Sequence, residues 1–323
     1  MRIIIAFAQL FCLLFLFGCA HLAGPYYLNH GEFEDGLKVL GQELRDNPQD
    51  ALAAYYLGRY YLALEEPELA VGLLKQAAKL EPDNADYLFW VGVANWALDD
   101  FKEEQQSYRL ALSIDKDNVS AKLYLAHTYL DEGKLDQALT LYDKVILRDK
   151  YNPQAVYNRA DILTRQGKNT QAVKEWKKFL EYYPDGSLAV CGTDKLNSLG
   201  DFTYRNFILG KRNVTLRTLK FKSGSAKSEL EGNLSLRLLA AIMTSDMGAA
   251  FHIVAYCKDN PELAKERAAK IKKHILNAHP GIASERLPLS WFGVPEVIKR
   301  GGKIYKLDDS IRFITVLKQE KAS

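Results

Sequence analysis

Cys12, Cys19, Cys191 and Cys257 are the four thiols of this 323-residue chain, and acylation, bridging or simple packing is the chemistry open to them. His127 has no second ligand at helical spacing, so it reads as a groove or core residue rather than a metal ligand. The sequence holds no glycine-rich phosphate loop, no HExxH or CxxC pair and no Ser, His and Asp set supported by local context. The reading is therefore of a protein that is not an enzyme and needs no cofactor or metal. What remains is the chemistry of attachment and of binding.

Attachment is read at the N-terminus. Arg2 precedes the apolar runs at 3–8 and 10–17, the charged and apolar regions of an export signal, too short for a typical spanning helix. The run ends Leu16-Phe17-Gly18-Cys19, which resembles a bacterial lipoprotein signal. That resemblance implies removal of residues 1–18, lipidation of Cys19, and, with Ala20 rather than Asp next, delivery to the periplasmic face of the outer membrane. Acyl chains contribute ~0.8 kcal/mol per buried methylene, so a lipid anchor holds the chain at a membrane without a spanning helix. The alternative is an uncleaved anchor with Cys19 as a packed thiol. Export would leave Cys191 and Cys257 in an oxidising compartment, either bridged or as two buried unpaired thiols.

The elements that position any binding surface follow a 34-residue period. Pro48, Pro82, Lys116, Lys150 and Pro184 mark it, and Asn84, Asn118 and Asn152 repeat it two residues later. Such spacing signals helix-turn-helix units that bury their apolar faces only by stacking. Charge divides the chain as well: residues 20–189 carry 19 Lys and Arg against 27 Asp and Glu, whereas residues from 190 onward carry 23 against 13. A basic half can serve an anionic polymer, a membrane surface or the acidic half, and an exported location excludes nucleic acid.

The units 51–84, 85–118, 119–152 and 153–186 resemble tetratricopeptide repeats. Small residues stand at position 8 (Gly58, Gly92, Ala126, Ala160), and Ala70, Ala138 and Ala172 at position 20, where Glu104 breaks the pattern. Gly133 and Gly167 supply the inter-helix turn, and Tyr27, Gly31, Phe33, Gly36 and Leu40 mark a truncated unit within residues 19–50. The resemblance implies a concave face built from the first helix of each pair. On it stand Tyr55, Arg59 and Leu62, then Phe89, Val93 and Trp96, then Leu123, His127 and Leu130, then Tyr157 and Asp161. That floor suits an amphipathic helix or an extended peptide of a protein partner, or else part of it packs on the chain's own following segment.

Beyond a linker at 187–212 the pattern alternates strand and helix: strands at 213–222, 250–257, 286–292 and 310–317, a helix entered through a capping box at 228–231, and a helix from Asn260-Pro261 to about Ala278. The order βαβαββ, with Asn260, Arg267-Ala268 and Trp291-Phe292-Gly293, resembles the peptidoglycan-binding domain of the OmpA family over 213–317, ahead of a polar tail at 318–323. The expected fold is thus an α-helical tetratricopeptide solenoid followed by an α+β OmpA-like domain. The resemblance implies that an Asp and Arg267 hold the charged groups of diaminopimelate. Lys258 occupies the usual Asp position, so either Asp259 serves instead or the site is altered, with Arg267 then an exposed residue pairing with Glu262 or Glu266. Two functions follow: an outer-membrane scaffold for a pilus or secretion assembly, or a lipoprotein tethered to peptidoglycan.

Overall fold

The computed structural model describes residues 20–227, 233–246 and 248–316. The leader, Cys19, the capping box at 228–231 and the polar tail lie outside the described residues. Two compact units divide the chain, Met1–Lys150 and Tyr151–Ser323.

Helical pairs build the first unit. A short opening pair, α1 (Ala20–His30) and α2 (Phe33–Asp46), occupies the place of the truncated repeat. Three full repeats follow: α3 (Ala51–Ala63) with α4 (Pro67–Leu80), α5 (Ala85–Ala97) with α6 (Phe101–Ile114), and α7 (Val119–Asp131) with α8 (Leu135–Arg148). Their rhythm has a local cause. Asp50, Asn84 and Asn118 cap α3, α5 and α7, each side-chain oxygen accepting from a first-turn amide, at 2.9 Å from Ala53, 3.3 Å from Tyr87 and 2.8 Å from Ala121. Each cap satisfies a donor that the helix start leaves open, so the asparagine series is a series of helix starts.

Within each pair the helices cross at a small residue, and in the first two full repeats little but hydrogen fits there. A Cβ added at Gly58 would lie 2.5 Å from Leu74 Cγ, and one at Gly92 would lie 2.3 Å from Tyr108 Cε1. Gly133 turns the third repeat with φ +73°, but Glu65 and Asp99 hold the same left-handed turn in the first two at +61° and +58°. Glu104 fills its small-residue position by burial. Thr128 donates to one of its carboxyl oxygens at 2.8 Å, the other oxygen is buried without a partner, and burial pushes the carboxyl above the usual range.

In the second unit α9 (Pro153–Arg165) and α10 (Asn169–Tyr182) form the fourth repeat, which groups with the strands that follow rather than with the first three repeats. The expected linker is largely a helix, α11 (Ser187–Ser198), whose Gly192 lies against Trp176 and Phe179. Its far side holds the strands: Asn206 donates to Val190 O at 2.9 Å and Asn197 to Tyr204 O at 2.8 Å. This continuous packing is why the boundary precedes the fourth repeat.

The first expected strand is instead a hairpin, β1 (Tyr204–Leu209) and β2 (Arg212–Arg217), turning at Gly210 with φ +63°. After α12 (Leu234–Ser245), β3 (Ala250–Cys257) runs parallel to β4 (Leu289–Phe292), across α13 (Pro261–Ala278), and antiparallel to β7 (Asp309–Val316). A further hairpin, β5 (Glu296–Arg300) and β6 (Lys303–Leu307), interrupts β4 and β7, so the order is ββαβαββββ rather than βαβαββ. Leu216, Leu239, Met243, Phe251, Ile271 and Phe313 are among the residues that close the core.

Glu296, 2% exposed, fastens this region. Arg205 grips it with two hydrogen bonds at 2.8 and 2.7 Å, Ser310 donates at 2.5 Å, and Arg312 lies 3.4 Å away. Glu296→Ala strips the counter-charge from buried Arg205 and is expected to lower the unfolding free energy by about 3–5 kcal/mol, read as a denaturant midpoint.

Glu65→Gly is expected to raise stability by about 1 kcal/mol by relieving a left-handed turn, and Asp99→Gly by less, because a short polar side chain tolerates that region better. Melting temperatures of the two variants check the order. Because the Glu104 carboxyl holds its proton more tightly when folded, its burial costs nothing below the ordinary value of 4.5 and destabilises increasingly as pH rises above it. Glu104→Gln should therefore leave the melt at about pH 4 unchanged and raise it at about pH 8.

Candidate functional site: the first-helix face of the repeats

Helical period divides each first helix into an interior and a presented side. Tyr55, Phe89 and Leu123 fall on the interior and are buried. They are not groove residues as expected, because the second helix and the next repeat close over them. The Phe89 ring sits 5.8 Å from that of Tyr108 and 5.2 Å from that of Tyr124. Arg59, Leu62, Val93, His127 and Leu130 are half-buried on the presented side, and Trp96 stands out at 53% exposure.

Arg59 organises the first two repeats. Its guanidinium lies 4.0 Å over the Trp90 ring and donates to Tyr55 Oη at 3.0 Å; Tyr55 in turn donates to Asp86 at 2.5 Å. Burial, then the bond to Asp86, pushes the Tyr55 hydroxyl far up, which keeps it a neutral donor. Arg59 Nε is buried without a partner. Stacking on an indole leaves the guanidinium edge open to an acceptor, as a cation–π seat does. His127 shares a 2.7 Å hydrogen bond with Tyr142 Oη. Sequence reasoning missed Asp86, Trp90 and Tyr124. The last two share the helix position next to Phe89 and Leu123, a recurrence of aromatic residues that the spacing carried.

In the second unit the first-helix face of the fourth repeat is occupied by its own chain. Asp161, 4% exposed, is paired with Arg165 Nε at 2.6 Å and with Lys195 Nζ of α11 at 3.0 Å, so it is not open to a partner. Tyr157 packs edge-on to Trp176 and Phe179.

The remaining expected sites also change. Cys191 is exposed, Cys257 is buried, and both are free thiols: Cys257 ends β3 with the Arg267 guanidinium 3.9 Å from its sulfur, and burial pushes its thiol up to about 11. Arg267 is neither exposed nor paired with Asp259, Glu262 or Glu266. It is 1% exposed, ion-paired with Asp309 at 2.9 Å, donates to Ser225 O at 3.1 Å and lies 4.8 Å over Phe221. Asp259 is exposed, with φ +58°, and its amide donates to Gly293 O. Arg267 and Asp309 line a cleft of about 230 Å³ with Phe221 and Ile311. Among the described residues no cluster of His, Cys, Asp or Glu is placed to hold a metal ion.

The chain is similar to curated proteins, to solved structures and to a family model. The chain is 21% identical over 253 residues to the tetratricopeptide repeat-containing protein trd-1 of Caenorhabditis elegans, covering 77% of this chain and 32% of that protein. It is 25% identical over 174 residues to a DnaJ homolog subfamily C member 3 homolog of Dictyostelium discoideum, 47% of this chain and 34% of that one. It thus spans about a third of the length of the curated relatives it matches. Among solved structures, MamA is similar at 23% identity, TM-score 0.46, over 49% of this chain and 93% of that one. PilF of Pseudomonas aeruginosa is similar at 17% identity, TM-score 0.48, over 81% and 90%. YrrB, described as a tetratricopeptide protein with an unusual peptide-binding site, is similar at 21%, TM-score 0.46, over 53% and 88%. The tetratricopeptide-repeat family model matches residues 21–74, 57–119 and 123–187, just over half of the chain, and the chain belongs to that family.

Proposed function

We propose that this chain is an interaction scaffold of the cell envelope, anchored to the outer membrane through lipidated Cys19, which holds a helix or extended peptide of a pilus or secretion assembly on the first-helix face of its first three repeats. Proteins of the family generally mediate protein–protein interactions. The observation that carries the reading is the Arg59 seat: a guanidinium stacked on Trp90, bonded to Tyr55 and held near Asp86, with Trp96 exposed on the next helix. Apolar surface beside a half-buried, stacked arginine suits an amphipathic segment carrying a carboxylate. The anchor is supported by the Leu16–Cys19 motif, and labelled palmitate incorporated by the wild type but not by Cys19→Ser is the check on it.

A second reading makes peptidoglycan the main ligand, and half-exposed Asp309 at the cleft beside buried Arg267 favours it, since an accessible carboxylate suits the ammonium group of diaminopimelate. A photo-crosslinker at Trp96 in the full chain, in intact envelopes, is expected to label a discrete protein. Arg59→Glu should weaken that capture by roughly tenfold or more while membrane fractionation is unchanged. Labelling indifferent to Arg59→Glu, together with sacculus binding lost in Asp309→Asn, would replace the scaffold reading with the wall-tethering one.

A further inference from the structure

The β5–β6 hairpin has two faces with different fates. Its register pairs Val297 with Lys306, Ile298 with Tyr305 and Lys299 with Ile304. Side chains alternate across a strand, so Glu296, Ile298, Tyr305 and Leu307 share one face, and Val297, Lys299, Ile304 and Lys306 the other. The first face is fastened to the second unit: Glu296 is gripped by Arg205, Tyr305 packs edge-on to Phe202 with ring centroids 5.1 Å apart, and its hydroxyl donates to Ser198 O at 3.3 Å. An isolated two-stranded hairpin is barely stable in water, and these contacts are what hold this one in place.

All four residues of the second face are exposed, Val297 at 53% and Ile304 at 64%. Apolar and cationic side chains form a checkerboard there, beside the Gly301-Gly302 tip, both glycines at positive φ. Of the hairpin's cations Arg300 is paired, with Asp194 at 3.5 Å, and the nearest acid in sequence outside the buried Glu296 is exposed Asp308. Just before the hairpin, Trp291, Phe292 and Val294 are exposed as well. Lysine on an edge strand discourages strand addition, but that purpose does not call for Val297 and Ile304 beside it.

We infer that the outer face of the β5–β6 hairpin docks on an anionic phospholipid surface. Val297 and Ile304 enter the boundary between head groups and acyl chains, while Lys299 and Lys306 extend their stems and place their charges at the phosphates. A soluble polyanion would use the lysines and leave the two β-branched residues in water; only an interface uses both. This contact is separate from the Cys19 anchor and from the repeat face, and its failure would leave both readings standing.

The test uses residues 20–323, which retain every described element and lack the leader. Flotation is measured with vesicles of phosphatidylcholine alone and of an equal mixture with phosphatidylglycerol. The chain is expected to float with the mixed vesicles and not with the neutral ones. Val297→Ser with Ile304→Ser, and separately Lys299→Gln with Lys306→Gln, should each reduce flotation by roughly tenfold, with melting temperatures unchanged because all four side chains are exposed. Wild-type flotation equal on both vesicles, or mixed-vesicle flotation unchanged in either double variant, would overturn the proposal. So would loss in the lysine variant alone, which would identify the hairpin as a site for soluble polyanions.

Discussion

The close crossing of the two helices in each repeat, at glycine in the first two full repeats and at alanine in the next two, is the constraint on which the rest of the array depends. Gly58 against Leu74 and Gly92 against Tyr108 set helix separation at a distance that a methyl group would violate. Interiors are packed too densely to absorb such an intrusion without moving a helix. Fixing that distance brings the second helix over position 5 of the first, which is why Tyr55, Phe89 and Leu123 are core rather than floor. It also leaves positions 6, 9 and 12 at the rim, where Trp90, Arg59 and Trp96 gather. The presented face is thus a by-product of how each pair closes.

The second unit ends the same stacking by a different device. Trp176, wholly buried on α10, has Gly192 of α11 packed against it, so α11 stacks on the fourth repeat in the place where the first helix of a further repeat would lie. No partner helix follows. The strands take its place, joined to α11 by the side-chain amides of Asn197 and Asn206. Lys195 of α11 then neutralises Asp161, closing the fourth repeat's face with the chain's own cation.

The array was legible because its signal repeats: caps, small residues and turns recur every 34 residues, and each has a local physical cause. Glu65 and Asp99 show the limit, since a left-handed turn held by a non-glycine residue gives no spacing signal. In the second unit β3, α13 and β7 were legible from alternation and from the Asn260 cap, which accepts from Leu263 N at 3.0 Å. The two hairpins were not, although Gly210 and Gly301-Gly302 are ordinary hairpin turns, because strands of five or six residues carry too few alternations to stand out. Spacing placed Phe89 and Trp96 on one face, yet Phe89 is buried and Trp96 exposed, because period fixes a face but not what covers it. Likewise the spacing of Cys191 and Cys257 says nothing of their separation, and Arg267 looked like a surface residue because its partner, Asp309, is remote in sequence.

The basic surplus of the C-terminal half sorts by residue type once the contacts are considered. Arg205 is committed to Glu296, Arg267 to Asp309 and a backbone carbonyl, and Arg286 to the carbonyls of Ala249, Met243 and Asp246. A planar fork with several donors is suited to joining loops across an interior, and these arginines are used in that way. Their charge is therefore not available to a partner, and the field the domain presents outward comes chiefly from lysine. Lysine is a flexible point charge that favours extended anionic surfaces over a single shaped pocket. The division of labour between the two cations thus argues that the outward charge of this half suits an extended surface, while its arginines are spent on holding the domain together.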